Sequence, residues 1–196
     1  METVIYRTGQ MTVPIHNETL VQGWEGFDSR RPEGHVRRQE SLFAGADLKC
    51  AHVWLGNLYL KWELGQDVTF LFNEITVESD NVRVYLVEHY EKSGGCPCCP
   101  GECDYGTFSN IDSYWNTSMT LTQWIDEVGE DPCGHWEILL PEKEVISSRV
   151  LTYPQLREIY LEKEMDAWSL GILDEFIRPL LEEATSISPY PIPEKI

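Results

Sequence analysis

Two stretches, VTFLFNEITVE at residues 68–78 and NVRVYLVEHY at residues 81–90, determine the fold class of this chain of 196 residues. Both are rich in β-branched and aromatic residues, and in the second stretch apolar side chains alternate near the period of two that is typical of a strand. Ser79, Asp80 and Asn81 lie between them and predict a short turn of the hairpin kind. The chain is therefore expected to contain a sheet around these two strands.

Shorter patterns on either side add the remaining elements. Further strands are predicted at residues 3–8, 41–44 and 135–146, the last with a break at Pro141. Residues 46–64 predict a helix, whereas residues 113–128 fit either a short helix or a strand. With helices after the last strand, this order of elements indicates an α+β protein.

The end of the chain has a helical pattern. Pro154 suits a first helical turn, and apolar residues then follow helical spacing up to residue 167. A second helix is predicted over residues 168–184, kinked or divided at Pro179. We therefore expect two parts: an α+β core over residues 1–150, with a cysteine-rich insertion at 92–112, and a helical extension over residues 151–196. The extension ends in a Pro-rich tail.

The charge is strongly negative and unevenly distributed. Fifteen Lys and Arg against 33 Asp and Glu give a net charge of −18, of which residues 65–196 contribute −17. Such a surface repels nucleic-acid phosphates and suits a basic protein partner, although its simplest effect is to keep the protein soluble. No apolar run reaches the ~18 residues that a membrane span needs, and the first ten residues lack the pattern of a signal peptide. We therefore expect a cytoplasmic protein without membrane contact.

The cysteines are clustered. Cys96, Cys98, Cys99 and Cys103 fall within eight residues, and Cys133 follows 30 residues later. Because zinc prefers four soft ligands and short Pro- and Gly-containing turns let thiolates converge, the cluster favours a structural zinc site. The predicted ligands are Cys96, Cys99, Cys103 and Cys133, with His135 as the other possible fourth ligand. A disulfide or redox pair and unligated thiols are the alternatives.

Polar residues interrupt three of the predicted strands. Arg7 follows Val-Ile-Tyr, Ser41 opens Ser-Leu-Phe-Ala, and Glu137 lies within His-Trp-Glu-Ile-Leu-Leu-Pro. Alternation places Glu137 on the face opposite to Trp136 and Ile138. A carboxylate is costly to bury ionised unless a group pairs with it, and Arg7 is an available partner if the two strands are neighbours. The simpler interpretations are a surface arginine, a strand-edge serine and an exposed acid.

These pieces, taken in their order, resemble the ADP-ribosyltransferase fold. The similarity is carried by Tyr6-Arg7 in the opening strand, Ser-Leu-Phe-Ala at 41–44, the strands within 68–90, and Trp-Glu-Ile-Leu-Leu-Pro at 136–141. It covers roughly residues 3–150 without 92–112, and it is to small bacterial and phage members, among them toxin-like enzymes that modify DNA or protein. The resemblance implies mixed or antiparallel sheets of that type. It also implies transfer of ADP-ribose from NAD to a macromolecular acceptor.

The resemblance also implies roles for individual residues. Arg7 would bind the phosphate and ribose of NAD, and Ser41 would support the nicotinamide ribose and orient Glu137. Glu137 would be the catalytic carboxylate, since cleavage of the glycosidic bond develops positive charge that a fixed negative charge stabilises. An aromatic ring, Tyr6 or Phe43, would stack on the nicotinamide. The acceptor, a protein or a nucleic acid, is left open.

Two features of the sequence do not fit an arginine-modifying ADP-ribosyltransferase. Arginine-modifying members of the family carry a second Glu two residues before the catalytic one, whereas this chain has His135 there, which disfavours arginine as the acceptor. The acidic charge, which an NAD enzyme does not require, favours a second class. This would be a non-enzymatic binding or inhibitor protein, encoded by a phage or mobile element, that imitates nucleic acid or covers a basic partner.

Overall fold

Eight strands form the framework of the part of the chain that the structure describes. The computed structural model describes residues 1–9, 28–37, 41–52, 71–90, 106–108, 111–129 and 134–187. The strands are β1 (Glu2–Gly9), β2 (Leu42–Gly45), β3 (Leu71–Glu78), β4 (Arg83–Tyr90), β5 (Gly106–Phe108), β6 (Met119–Thr120), β7 (Gly134–Leu140) and β8 (Val145–Leu151). The predicted opening strand, the strand at 41–44 and the first part of the strand predicted over 135–146, up to its break at Pro141, are confirmed; residues 142–144 form a 3-10 turn instead.

All strand pairs of the described ranges are antiparallel. The strand order is β5-β4-β7-β2-β1-β3-β8, with β6 also paired to β4. The predicted turn after β3 is present, but the predicted hairpin is wrong. β3 pairs with β1 and β8, whereas β4 pairs with β5, β6 and β7. A short connection between two good strands does not force them to pair, because each finds its partners elsewhere in the sheet.

The short connection between β3 and β4 forces the sheet to curl. Only residues 79–82 join β3 to β4, although the two strands lie four positions apart in the sheet. In a flat sheet that offset is roughly 19 Å, more than the roughly 17 Å that a fully extended connection of this length spans. We call the concave side the inner face; its apolar residues form one cluster, which includes Ile5, Ala44, Val77, Val84 and Ile138.

Two clusters cover the other side of the sheet, the outer face. Over β1, β3 and β8, Tyr6 and Phe72 pack against the C-terminal helices through Tyr160 and Leu173. Over β4 and β7, a smaller cluster consists of Tyr85, Val87, Leu139, Tyr114 and Trp115. The C-terminal helices therefore share a core with the strands.

The described helices follow the sequence pattern, and residues 53–64 of the helix predicted over 46–64 lie outside the described residues. They are α1 (Ile111–Asn116), α2 (Leu121–Glu127), α3 (Tyr153–Glu162), α4 (Ala167–Ile172) and α5 (Arg178–Ile187), together with a short helical segment at 48–52 and a 3-10 turn at Glu142–Glu144. Residues 113–128 contain both of the structures that their pattern allowed, because β6 lies between α1 and α2. None of the helices in the described ranges is long and apolar enough to cross a membrane.

Pro179 does not divide the last helix. It lies in the first turn of α5, directly after a π-helical turn at Leu173–Ile177. A proline ring within a regular helix would clash with the carbonyl group four residues earlier, here that of Glu175. The wider π turn contains that carbonyl, so the irregularity precedes the proline and the chain remains helical.

The sheet is narrowly joined between β1 and β2. These strands share one registered pair, Tyr6 with Gly45, whereas β1 shares eight pairs with β3 and β2 shares four with β7. From Arg7 to Gly9, β1 runs without a registered partner on β2. Tyr6 and Gly45 are therefore the point at which the two halves of the sheet part.

Candidate functional site

Glu137 lies in the middle of the sheet and is fully buried. It is paired with Gly45 on β2 and with Tyr85 on β4, so its side chain is on the outer face. Trp136 and Ile138 belong to the inner cluster, which confirms the alternation predicted for this strand. A carboxylate placed here needs a hydrogen-bond donor to offset the loss of water.

Tyr114 of α1 is such a donor. Its hydroxyl donates a hydrogen bond to Oε1 of Glu137 over 2.6 Å, and its ring is buried. The ring stacks on Tyr85 at 4.9 Å with an angle of 10° between the planes, and Trp115 packs edge-on against both rings. The stacked aromatic rings therefore fix the direction from which the hydroxyl reaches the carboxylate.

His35 packs against Tyr85 and Trp115, and a second histidine, His135, lies on the strand of Glu137. Nδ1 of His35 and the hydroxyl of Tyr85 share a hydrogen bond of 3.3 Å. His135, two residues before Glu137 on the same face, is buried, and burial lowers its pKa to about 4. It is therefore neutral at pH 7 and adds no positive charge beside the carboxylate.

Sequence reasoning missed Tyr114 and Tyr85 as site residues. Tyr114 lies 23 residues from Glu137, in a segment whose pattern fitted either a helix or a strand. Only the helix places its hydroxyl over β7. A tyrosine in a short amphipathic segment is a weak signal, but the run of aromatic residues Tyr114-Trp115 was the available one.

Arg7 is buried in the sheet but on the other side from Glu137. It follows Tyr6, so alternation directs it to the inner face, where it lies opposite Asn73 of β3. Only 2 % of its surface is exposed, and burial lowers its pKa to about 10, which leaves it charged at pH 7. β2 lies between β1 and β7, so the register does not make Arg7 the neighbour of Glu137.

Ser41 lies at the far end of β2 from Gly45. The two residues are four positions apart along the chain, which separates their Cα atoms by roughly 13 Å. The Ser41 hydroxyl donates a hydrogen bond of 2.7 Å to the carbonyl oxygen of Arg37. Ser41 is thus buried and tied to the segment that precedes β2, and the structure does not bring it to the Glu137 carboxylate.

Tyr6 and Phe43 share the outer face with Glu137. Tyr6, Gly45 and Glu137 form one row across three neighbouring strands, which separates the Cα atoms of Tyr6 and Glu137 by roughly 10 Å. Phe43 packs against the cluster of Tyr85 and Trp115. The two predicted aromatic residues and the predicted carboxylate therefore share a face, whereas Arg7 lies behind it.

Gly45 brings a second layer close to this row. A Cβ atom at this position would lie 2.4 Å from the backbone nitrogen of Ala51, in the short helical segment 48–52. Such a distance is too short for any side chain, so the segment packs directly on the strand backbone. Glycine is required here by this close approach, between Glu137 on one side and Tyr6 on the other.

The predicted zinc ligands Cys96, Cys99, Cys103 and Cys133 lie outside the described residues. Cys50 is buried in the inner cluster, and burial raises the pKa of its thiol. Among the residues that the structure describes, no group of three or more His, Cys, Asp or Glu could hold a metal ion.

No family model, curated protein or solved structure matches this chain.

Proposed function

We propose that this protein transfers ADP-ribose from NAD to a macromolecular acceptor, with Glu137 as the catalytic carboxylate and a sheet of the ADP-ribosyltransferase type. One observation carries the proposal: Glu137 is fully buried at the centre of the sheet and is held by the Tyr114 hydroxyl at 2.6 Å. An apolar residue would be the more stable choice at such a position. A fixed and dehydrated carboxylate is instead what a reaction that develops positive charge requires.

The chemistry fits these groups. NAD supplies a bond between ribose and nicotinamide; this bond breaks, nicotinamide leaves with the electron pair, and the acceptor's nucleophile bonds to the ribose carbon and loses its proton. Glu137 stabilises the positive charge that the ribose carries as this bond breaks. Tyr114 holds the carboxylate in one orientation, the part that the family resemblance assigned to Ser41. Burial lowers the pKa of His135 to about 4, so this neighbour is neutral at pH 7 and places no positive charge beside Glu137.

The remaining residues have supporting roles in this proposal. Tyr6 and Phe43, on the same face as Glu137, supply rings that stack on the nicotinamide. Arg7 supplies a charged guanidinium for a phosphate at the point where β1 and β2 part, because it directly follows their single registered pair. Ser41 anchors the segment before β2.

The test is a labelling experiment with matched variants. Purified protein is mixed with labelled NAD and a cell lysate, and label on macromolecules is measured. We expect label with the wild type and with Glu127→Gln, whose side chain is exposed on α2. Glu137→Gln should transfer at least about 100-fold more slowly, as for the loss of one group that stabilises transition-state charge. Equal labelling by Glu137→Gln, or none by the wild type, would contradict the proposal.

A second function is favoured by the surface of the C-terminal helices. Between α3 and α5, the C-terminal helices and their connections expose seven acidic side chains: Glu158, Glu162, Glu164, Asp166, Glu175, Glu182 and Glu183. In this alternative the protein has no enzymatic activity and covers a basic partner. NAD would then not raise its melting temperature, and the affinity for the partner would fall steeply with salt.

A further inference from the structure

A row of apolar side chains lies on the exposed side of the C-terminal helices. Trp168, Ile172 and Phe176 follow each other in steps of four residues along α4 and the π-helical turn, and side chains at this spacing lie on one face of a helix. Trp168 is 61 % exposed and Phe176 is 42 % exposed, whereas Ile172 is half-buried. We call these three residues the apolar row. It extends over two turns, unlike the single exposed apolar residues that are ordinary on a protein surface.

The core of the protein uses a neighbouring face of the same helices. The residue after each member of the row is buried: Ser169, Leu173 and Ile177. Trp168 touches the rest of the molecule edge-on, with its ring 6.1 Å from that of His52 and an angle of 74° between the planes. The indole is therefore supported by the fold and still mostly exposed. Such a side chain offers a large apolar area with little freedom to lose, which is why tryptophan often dominates the affinity at protein interfaces.

The charges around the apolar row determine which kind of partner it fits. Residues 166–183 contain one basic residue, Arg178, against five acidic residues, a net charge of −4: Asp166, Asp174, Glu175, Glu182 and Glu183. A second copy of this chain would bring the same negative charges against each other, and an anionic membrane surface would be repelled for the same reason. A basic protein segment is attracted instead, so charge complementarity selects it among the occupants of an apolar surface.

We propose that the apolar row is the docking site for a basic amphipathic helix of a protein partner, with Trp168 as its main contact. Rows of side chains four residues apart are the ridges by which helices pack on one another, so the apolar row fits a partner helix with apolar residues at the same spacing. Lysine and arginine side chains on its flanks then face Glu175 and the other acidic residues. This docking goes beyond the transfer of ADP-ribose and does not depend on it.

Fluorescence anisotropy with a labelled peptide tests the proposal. The probe is a helical peptide of about 18 residues, or about five turns, with leucine along one face and lysine on the others. It is titrated with the full chain at about 150 mM salt, where attraction between distant exposed charges is screened. Trp168→Ala should bind the peptide roughly tenfold more weakly or worse, with little change in melting temperature. Ile146→Ala, which removes another exposed apolar side chain on β8, should bind as the wild type does.

Further probes separate the apolar contact from the charge. Peptides with serine in place of leucine, or glutamate in place of lysine, should each bind the wild type roughly tenfold more weakly or worse. Glu175→Lys, at an exposed position beside the row, should weaken binding of the lysine peptide without lowering the melting temperature. Unchanged binding by Trp168→Ala, a clearly lower melting temperature of that variant, or equal binding of the lysine and glutamate peptides would overturn the proposal.

Two measurements without the peptide distinguish the other occupants. A wild-type dimer in sedimentation that Trp168→Ala dissolves would assign the row to a second copy. Wild-type binding to vesicles of phosphatidylcholine and phosphatidylserine that Trp168→Ala loses would assign it to a membrane. Either result would overturn the proposal. If the wild type binds the lysine peptide through Trp168 but transfers no label from NAD, the proposed function fails and this inference stands. If it transfers label but Trp168→Ala binds the peptide equally well, this inference alone fails.

Discussion

At the scale of single residues, the hydrogen bond between Tyr114 and Glu137 is the feature with the largest consequences. Tyr114→Phe removes the hydroxyl and keeps the stacked ring, so the carboxylate loses a donor in a dry environment. Loss of a hydrogen bond to a buried charged group costs about 1–3 kcal/mol. We expect unfolding in urea to show this loss, and the transfer rate to fall roughly tenfold or more.

The control for this variant is Tyr153→Phe, which removes a hydroxyl that donates to Asp174 on the C-terminal helices. It should change stability only slightly, because that pair is partly exposed, and should leave the transfer rate unchanged. Wild-type transfer by Tyr114→Phe would show that the hydroxyl plays no part in positioning Glu137.

His52 makes the stability depend on pH. Its Nδ1 and the Tyr160 hydroxyl share a hydrogen bond of 2.8 Å, and both side chains are buried. Burial lowers the pKa of His52 to about 4, while the nearby Asp166 opposes the shift. The unfolded chain then binds more protons than the folded one between the ordinary value of 6.5 and about 4. The contribution of His52 to the free energy of unfolding is therefore fully present above pH 6.5 and is lost as the pH falls from 6.5 to about 4.

Urea unfolding at pH 7.5 and at pH 4.5 measures this effect. A pKa shift of this size lowers the free energy of unfolding by roughly 3 kcal/mol once the pH has fallen through the whole window. Protonation of His135 destabilises the protein over the same pH range, because its pKa is lowered to about the same value. His52→Gln should therefore show a clearly smaller loss on acidification than the wild type. The prediction fails if the two proteins lose the same free energy of unfolding.

At the scale of elements, the contact between β2 and the helical segment 48–52 depends on one glycine. Gly45→Ala would place a Cβ 2.4 Å from the backbone nitrogen of Ala51, so strand and segment must separate. We expect a destabilisation of about 3 kcal/mol, at the upper end for overpacking, because backbone rather than a flexible side chain is in the way. The row from Glu137 to Tyr6 would be displaced as well, so transfer should also decrease.

A second glycine supplies the opposite control. A Cβ at Gly171, in α4, meets no atom within 4 Å. Gly171→Ala should therefore stabilise the protein by about 0.5–1 kcal/mol, the difference in helix propensity. A similar melting temperature for both alanine variants would show that the contact at Gly45 does not limit stability.

The positions of the helices and strands along the sequence were more predictable than the pairing of the strands in the sheet. Local periodicity and backbone restrictions act over a few residues. They are enough to predict the strands within residues 68–90, the end of β7 at Pro141 and the helices after Pro154. The curl of the sheet and the pairing of β3 with β1 depend on contacts between residues some 70 positions apart. Such contacts cannot be predicted from local sequence patterns. For the same reason Glu137 and Arg7 were recognised as unusual, but their opposite faces and the Tyr114 hydroxyl were not foreseen.

At the scale of the whole molecule, the predicted zinc site would join the predicted cysteine-rich insertion to Cys133, which directly precedes β7 in the sequence. We expect one zinc ion per chain under reducing conditions, measured by elemental analysis, because three thiolates within eight residues need only Cys133 to complete a tetrahedron. Cys99→Ser should lose the metal. Cys50→Ala should keep it, since that thiol is buried in the inner cluster. Metal-free wild type, or zinc retained by Cys99→Ser, would contradict the prediction.

The overall charge makes a prediction about the acceptor. Residues 65–196 contribute −17 to the net charge of −18, so we expect the protein to attract basic macromolecules and to repel nucleic acids. At saturating NAD, transfer should therefore label a basic protein, survive nuclease treatment, and slow by roughly tenfold between about 50 mM and about 300 mM salt, as attraction between exposed charges is screened. Reversing two exposed acids of α3, Glu158→Lys with Glu162→Lys, should slow transfer at low salt and flatten this dependence. Glu33→Lys, exposed but far from these helices in sequence, should change it much less. If transfer is indifferent to salt and to both reversals, the acidic surface does not select the acceptor, and the charge serves solubility alone.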